Sequence, residues 1–355
     1  MVTKKDLLKY IKAKQLASGR ELAEAFGVSR QAINKHLKGL IENGRVRKEG
    51  TTKGTIYGVY GSTDNKDISQ KFRRRYILEG LEEYIVFNEC DSNLQLKKSL
   101  SQNVFNLVRY AFTEMMNNAI EHSGSKIGDI DFFVNAYNCG FKIKDYGIGI
   151  FYSVFEKLSL PDESAAVGEL LKGKTTTMKE RHTGEGVFFT SKSGDHVAFQ
   201  SHRAELVFDN RAKDVFVIAR RSTKGTEVSF RISRNSKRKL EDIFNLYAPA
   251  EYEHRFEKTR VFVKLYHKEL ISRSEARRML NGLDKFKEVI IDFLGVRSIG
   301  RGFADEIFRV FRKLHPDISV RTENLNPSLQ PVVDHVVDDA AAELATAACK
   351  APATG

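Results

Sequence analysis

Asp145-Tyr-Gly147-Ile-Gly149 places a carboxylate two residues before the first of two glycines. A carboxylate there can accept a hydrogen bond from the amino group of a base, and the glycines let backbone pass close to a ligand. Upstream, FTEMMNNAIEHS (Phe112–Ser123) sets Glu114, Asn118 and His122 four residues apart. Steps of four drift only about 40° around a helix of 3.6 residues per turn, so these three polar groups share one stripe. Taken alone, such a stripe also suits the solvated face of an amphipathic helix. Downstream come HTGEGVFF (His182–Phe189), with Gly184 and Gly186 before an apolar helix start, and GTEVSFRI (Gly225–Ile232), a turn into an alternating strand.

The elements that must hold these groups are legible around them. Ile130–Ile150 reads as a strand, a turn and a second strand that delivers Asp145. Gly168–Thr175, GELLKGKT, satisfies the phosphate-cradling pattern G-x-x-x-x-G-K-[ST]. That loop needs an apolar strand before it and a helix after it, and neither PDESAAV nor TTMKERHTG supplies one.

In order, the four motifs are E-x3-N-A-x2-H, D-x-G-x-G, G-x-G and G-T. Together they resemble the ATP-binding fold shared by gyrase, the heat-shock chaperone, histidine kinases and mismatch-repair proteins, the GHKL class. The resemblance runs from about Leu78 to Ile232. It implies ATP and Mg²⁺ as cofactors, with Asn118 on the metal and Glu114 orienting or deprotonating an attacking water or hydroxyl. Asp145 would accept from the adenine amino group, Gly147 and Gly149 would shape the pocket, and Thr226 would close the adenine end. Gly184 and Gly186 would bring backbone N–H groups at a helix N-terminus to phosphate oxygens. His122 is expected as a polar group at the helix end. Gly168–Thr175 falls where that fold keeps a lid, Ile150–Thr183, from which Lys174 would reach phosphates. A conventional histidine kinase needs a phosphoacceptor histidine on a preceding helix, and no histidine occurs between His36 and His122.

The first 60 residues carry thirteen Lys/Arg against five Asp/Glu, a net +8 within a chain total of +12. Such an excess suits a polyanion, most simply nucleic acid. Leu22, Ala23 and Phe26 give one helix a buried stripe, Gly27 a turn, and Ser29 an N-cap for a second helix with Ile33, Leu37 and Leu40 inside. Arg30, Gln31, Asn34 and Lys35 lie off that stripe, able with Ser29 to reach base edges and phosphates. Arg45–Tyr60 alternates like two strands around a turn, with Arg47 and Lys53 as further contacts. The segment resembles a winged helix-turn-helix domain, which implies DNA as partner and, where half-sites are paired, a homodimer.

Beyond Arg260 the pattern changes to strands RVFVKLYH, KEVIIDFLGV and ISVRTEN around helices SRSEARRMLNGLDKF and RGFADEIFRVFRKL. The second helix should face Phe303, Ile307, Phe311 and Leu314 inward. VIIDFLGVRSIGRGFADE resembles the STAS domain of anti-sigma-factor antagonists in a divergent form, with Gly300-Arg301-Gly302 at the turn and Ser298 the nearest hydroxyl. That resemblance implies a protein-interaction or intramolecular regulatory role.

The 355 residues thus predict an α/β multidomain chain. Its parts would be a winged helix (1–60), a helical linker (61–100), a GHKL α/β sandwich (101–248), a small STAS-like domain (255–335) and a disordered Ala-rich tail (336–355). Three single cysteines and no apolar run near the roughly 18 residues of a membrane span point to a cytoplasmic protein. The expected function is a DNA-binding transcriptional regulator controlled by nucleotide. The alternative is an anti-sigma-type serine/threonine protein kinase acting on a partner.

Overall fold

The computed structural model describes residues 3–14, 16–42, 46–49, 55–59, 70–135, 137–160, 163–174, 185–253, 255–266 and 270–336. They fall in two compact units, Met1–Ser69 and Gln70–Gly355.

The first unit runs α1 (Lys4–Lys14), β1 (Leu16–Ser18), α2 (Gly19–Phe26), α3 (Arg30–Glu42), β2 (Val46–Glu49) and β3 (Ile56–Val59). Ser18 Oγ starts α2 by accepting from Glu21 N at 3.1 Å, and Gly27, left-handed at φ 61°, ends it. Ser29 Oγ accepts from Ala32 N at 3.3 Å at the start of α3. Leu7, Ile11, Leu22, Ile33, Leu37, Leu40 and Val46 form the core over an antiparallel sheet of order β1-β3-β2.

The second unit opens with β4 (Gln70–Ile77), α4 (Glu83–Leu94), α5 (Leu96–Ser99) and α6 (Gln102–Glu121). It continues with β5 (Ile127–Val134), β6 (Asn138–Asp145), α7 (Ile150–Lys157), α8 (Glu163–Lys172) and α9 (Gly186–Ser193). β7 (His196–Asp209), β8 (Asp214–Ser233) and α10 (Leu240–Tyr247) close this layer. The sheet order is β4-β5-β6-β8-β7, antiparallel throughout. Strict alternation in β5 turns Ile130, Phe132 and Val134 toward the helices. There Phe112 of α6 meets Phe132 and Phe141 at 5.7 and 5.2 Å between ring centroids, and Phe141 stacks on Phe230 at 5.1 Å. Cys90 and Cys139 are buried, and burial pushes both thiols up to about 12, which leaves them inert.

The C-terminal layer contains β9 (Lys258–Phe262), α11 (Arg273–Leu280), β10 (Glu288–Asp292), α12 (Arg301–Asp305), α13 (Arg312–Leu314) and β11 (Ser319–Glu323). Its sheet is parallel, order β11-β10-β9, and the central β10 is buried at every residue. Ser272 caps α11 in a full capping box with Glu275.

Three sequence expectations are corrected. The basic run Lys71–Tyr76 lies in strand β4, not in a helical linker, so the sheet layer begins at Gln70. Alternation explains it: Arg73 and Arg75 pair with Asp131 and Asp129 on the neighbouring strand, while Arg74 and Tyr76 both reach Glu89 of α4. The central and C-terminal layers share one apolar core rather than standing apart, with Phe256 wedged between Phe188, Phe189 and Phe286. Phe303, Ile307 and Phe311 are inward as expected, but Leu314 is 68% exposed. A π turn over Glu306–Phe311 separates α12 from α13 and shifts the helical phase beyond it. The expected tail from residue 337, the wing tip with Lys53, and Gly184 lie outside the described residues.

Candidate functional site

The end of β6 delivers Asp145 to a buried position, 4% exposed. Its Oδ1 accepts from Gly147 N at 2.9 Å and from Thr226 N, on the neighbouring β8, at 3.1 Å. Thr226 Oγ1 in turn accepts from Ile150 N, at the start of α7, at 2.9 Å. Burial raises the Asp145 carboxyl above the ordinary carboxylate range, and the two backbone donors pull it partly back. One carboxylate oxygen therefore ties together D-x-G-x-G, G-T and the first turn of α7.

The glycines earn their places through close approach. A Cβ on Gly147 would collide with the Ser123 carbonyl, and one on Gly225, left-handed at φ 72°, with Asp145 itself. Gly149, at φ 88°, faces the Ser201 hydroxyl and His202 Nε2. Ser201 and His202 sit where β7 bulges against β8. The Ser201 hydroxyl is buried with no hydrogen-bond partner, and His202 Nδ1 lies 3.1 Å from both oxygens of Glu163 on α8. Neither residue was singled out from the sequence, because a bulge in a strand leaves no periodic signal.

Twenty residues of α6 bury Ala111, Phe112, Met115, Met116 and Ala119 and leave Glu114 and Asn118 half-buried. Glu114 faces the start of α9: its Oε2 lies closer than 3.0 Å to where a Cβ on Gly186 would stand. Asn118 is one turn further on, its Nδ2 4.0 Å from Met115 Sδ. Tyr110, one turn before Glu114, is half-buried; desolvation raises its hydroxyl pKa, and the charges of Glu114 and Glu185 raise it further. His122 is the C-cap of α6, the helix-end position expected of it.

Gly168–Thr175 does not form a phosphate-cradling loop over its described part. Gly168 lies inside α8, and a Cβ there would come within 2.7 Å of Tyr266 Cε1; Tyr266 Oη donates to Gly168 O at 2.9 Å. Gly173, at φ 76°, lies against Phe256 and Phe188. Lys174 Nζ donates to Lys285 O at 2.8 Å and pairs with Glu257 at 3.2 Å. In this arrangement the Lys174 ammonium, expected to reach phosphates, is held by the C-terminal layer.

On α3, Arg30, Gln31, Asn34 and Lys35 are all exposed, opposite the buried Ile33, Leu37 and Leu40. Ser29 spends its hydroxyl on the cap, and the side chain of Arg47 lies outside the described residues. No helix among the described residues is long and apolar enough to cross a membrane.

Fold and site together define a multidomain α/β protein with a helix-turn-helix unit ahead of a five-stranded antiparallel layer and a small parallel layer. Comparison with protein families agrees at both ends. Residues 3–56 match an HTH domain, and residues 275–330 match a STAS-like domain of unknown function (DUF4325). The chain therefore carries an N-terminal helix-turn-helix domain, which supports DNA binding, and a C-terminal STAS-like domain. Neither match reaches residues 57–274. A search of curated proteins found no relative of the chain.

Proposed function

We propose that this chain is a DNA-binding transcriptional regulator whose central layer binds Mg–ATP and controls the helix-turn-helix unit. The observation carrying the nucleotide reading is the convergence on Asp145 Oδ1 of Gly147 N and Thr226 N, from motifs 81 residues apart. A buried carboxylate at a strand end, flanked by glycines that admit no side chain, suits the amino edge of a base. The partnerless Ser201 hydroxyl beside Gly149 adds a polar group at the same end. At the other end, Gly186 opens the N-terminus of α9 next to Glu114, with Asn118 one turn further along α6, a place where backbone donors favour phosphate.

Among the described residues no group of three or more His, Cys, Asp or Glu could hold a metal. Mg²⁺ would therefore come with the phosphates, and Asn118 would give it one ligand. Bound there, Mg²⁺ would neutralise phosphate charge. Glu114, half-buried at the mouth of α9, would orient a water or hydroxyl.

For DNA, Arg30, Gln31, Asn34 and Lys35 form the face of α3 that enters the major groove. Arg30 and Lys35 supply phosphate charge, and Gln31 and Asn34 pair with base edges. The test is the DNA affinity of the full chain on selected fragments, with and without Mg–ATP. The proposal expects affinity to change with nucleotide and Asn118→Ala to abolish the change. Equal affinity in all four conditions would reject the coupling.

A further inference from the structure

The C-terminal layer grips α8 and the two residues after it at four points. Tyr266 Oη donates to Gly168 O at 2.9 Å, and Thr259 Oγ1 to Lys172 O at 2.5 Å. Lys172, buried at 2% exposure, pairs with Glu169 and donates to Asn281 O at 2.6 Å. Lys174 then turns its ammonium to Lys285 O and Glu257, 4.8 Å from the Phe286 ring centroid.

The turn that makes this possible is strained. Gly173 and Lys174 are consecutive left-handed residues at φ 76° and 52°, and lysine rarely adopts that region without contacts that impose it. The position matters as much as the strain. Gly173 packs against Phe188, which is two residues, about 3 Å of helix rise, past Gly186 at the start of α9. Gly173, the neighbour of Lys174, thus packs on α9, whose start is proposed for the phosphates, yet the Lys174 charge points at the STAS-like layer.

We infer that the STAS-like layer acts in cis as an autoinhibitory clasp: through Glu257 and the Lys285 carbonyl it withholds Lys174 from the phosphates of a bound nucleotide. The inference rests on the nucleotide reading of the central layer. Releasing Lys174 relieves its left-handed backbone and supplies a cation at the start of α9. By linkage, bound nucleotide must loosen the clasp to the same extent that the clasp weakens nucleotide. The α8 helix also joins the clasp to the base end of the pocket, because Glu163 at its first turn holds His202 beside Gly149.

The experiment is a double-mutant cycle on the full chain, with the Kd for ATP in excess Mg²⁺ measured by titration calorimetry. Thermal melts check that each variant folds. Glu257→Gln should tighten ATP about fivefold or more, and the gain should vanish in the Lys174→Gln background. Thr259→Val, which frees the end of α8 without touching Lys174, should tighten binding in the same direction. An unchanged Kd in both Glu257→Gln and Thr259→Val, or a gain that survives Lys174→Gln, overturns the clasp while leaving the nucleotide site standing. Absence of ATP binding in the wild-type chain and every variant overturns the nucleotide reading, and the clasp with it.

Discussion

Glu114 Oε2 fills the space that a side chain at residue 186 would need, since a Cβ on Gly186 would fall inside 3.0 Å of it. The glycine thus abuts a residue 72 positions away in sequence, on a different helix. The contact is with the far end of a half-buried side chain, so Gly186→Ala should cost at most about 1 kcal/mol as the carboxylate shifts aside. Adding Glu114→Ala should return most of that loss, and urea denaturation of the two singles and the double gives the coupling. Additive effects would mean that the two residues do not touch.

Asp145→Asn separates stability from recognition. The amide keeps an oxygen for Gly147 N and Thr226 N, and it removes a buried charge. Because the native carboxyl is raised, its burial penalty is absent below the unfolded pKa and fully present above the native one. The stability of wild type relative to Asp145→Asn should fall as pH rises through that window. At neutral pH the variant should melt no lower than wild type. Its ATP affinity should nonetheless drop about 10- to 100-fold, the worth of a hydrogen bond to a charged group.

Lys192 lies half-buried between three rings, its Nζ 5.2 Å from the Phe188 and Phe208 centroids and 5.3 Å from that of Phe262. Burial pushes its ammonium down to about 7, with Arg260 adding to the effect and Asp292 opposing it. The folded state then holds fewer protons than the unfolded one above that pH. The penalty is full below pH of about 7 and is relieved as pH rises toward the ordinary lysine range. Wild-type stability relative to Lys192→Met should therefore climb between about pH 7 and pH 9. A flat difference across denaturant melts at those pH values would contradict the assigned burial cost.

On α3, charge and base reading should separate by salt. Lys35→Ala should weaken binding to all sequences alike and reduce the salt slope by about one. Asn34→Ala should leave the slope intact and cost about 1–3 kcal/mol of discrimination at one base position. Fluorescence anisotropy of the full chain on labelled duplexes at several salt concentrations reads both. The idea fails if the two variants behave alike.

Local signals carried the sequence reading, and its gaps fall where structure is non-local. The cap at Ser29, the turn at Gly27 and the apolar stripe of α3 are short-range patterns, and all of them hold. Asp145, Gly147 and Thr226 were recognisable as an ordered set, and they converge in space. Strand β4 was misread because its ion-pair partners lie on a neighbouring strand and a helix, 15 to 58 residues away. The hold on Lys174 by the C-terminal layer was not legible because the glycines around it answer to Tyr266 and Phe256, which no local pattern could reveal. Ser201 and His202 depend on a bulge between two long strands, and the exposure of Leu314 on a single π turn.

The apolar core shared by the two layers of the second unit has a consequence for how this chain comes apart. Phe256 and Phe286 complete the burial of Phe188 and Phe189, so removing residues beyond 250 would strip cover from the centre of the upstream layer. The STAS-like segment is therefore a structural half of its neighbour, not a detachable appendage. Heating should give one cooperative transition for residues from Gln70 onward and a separate one for the first unit.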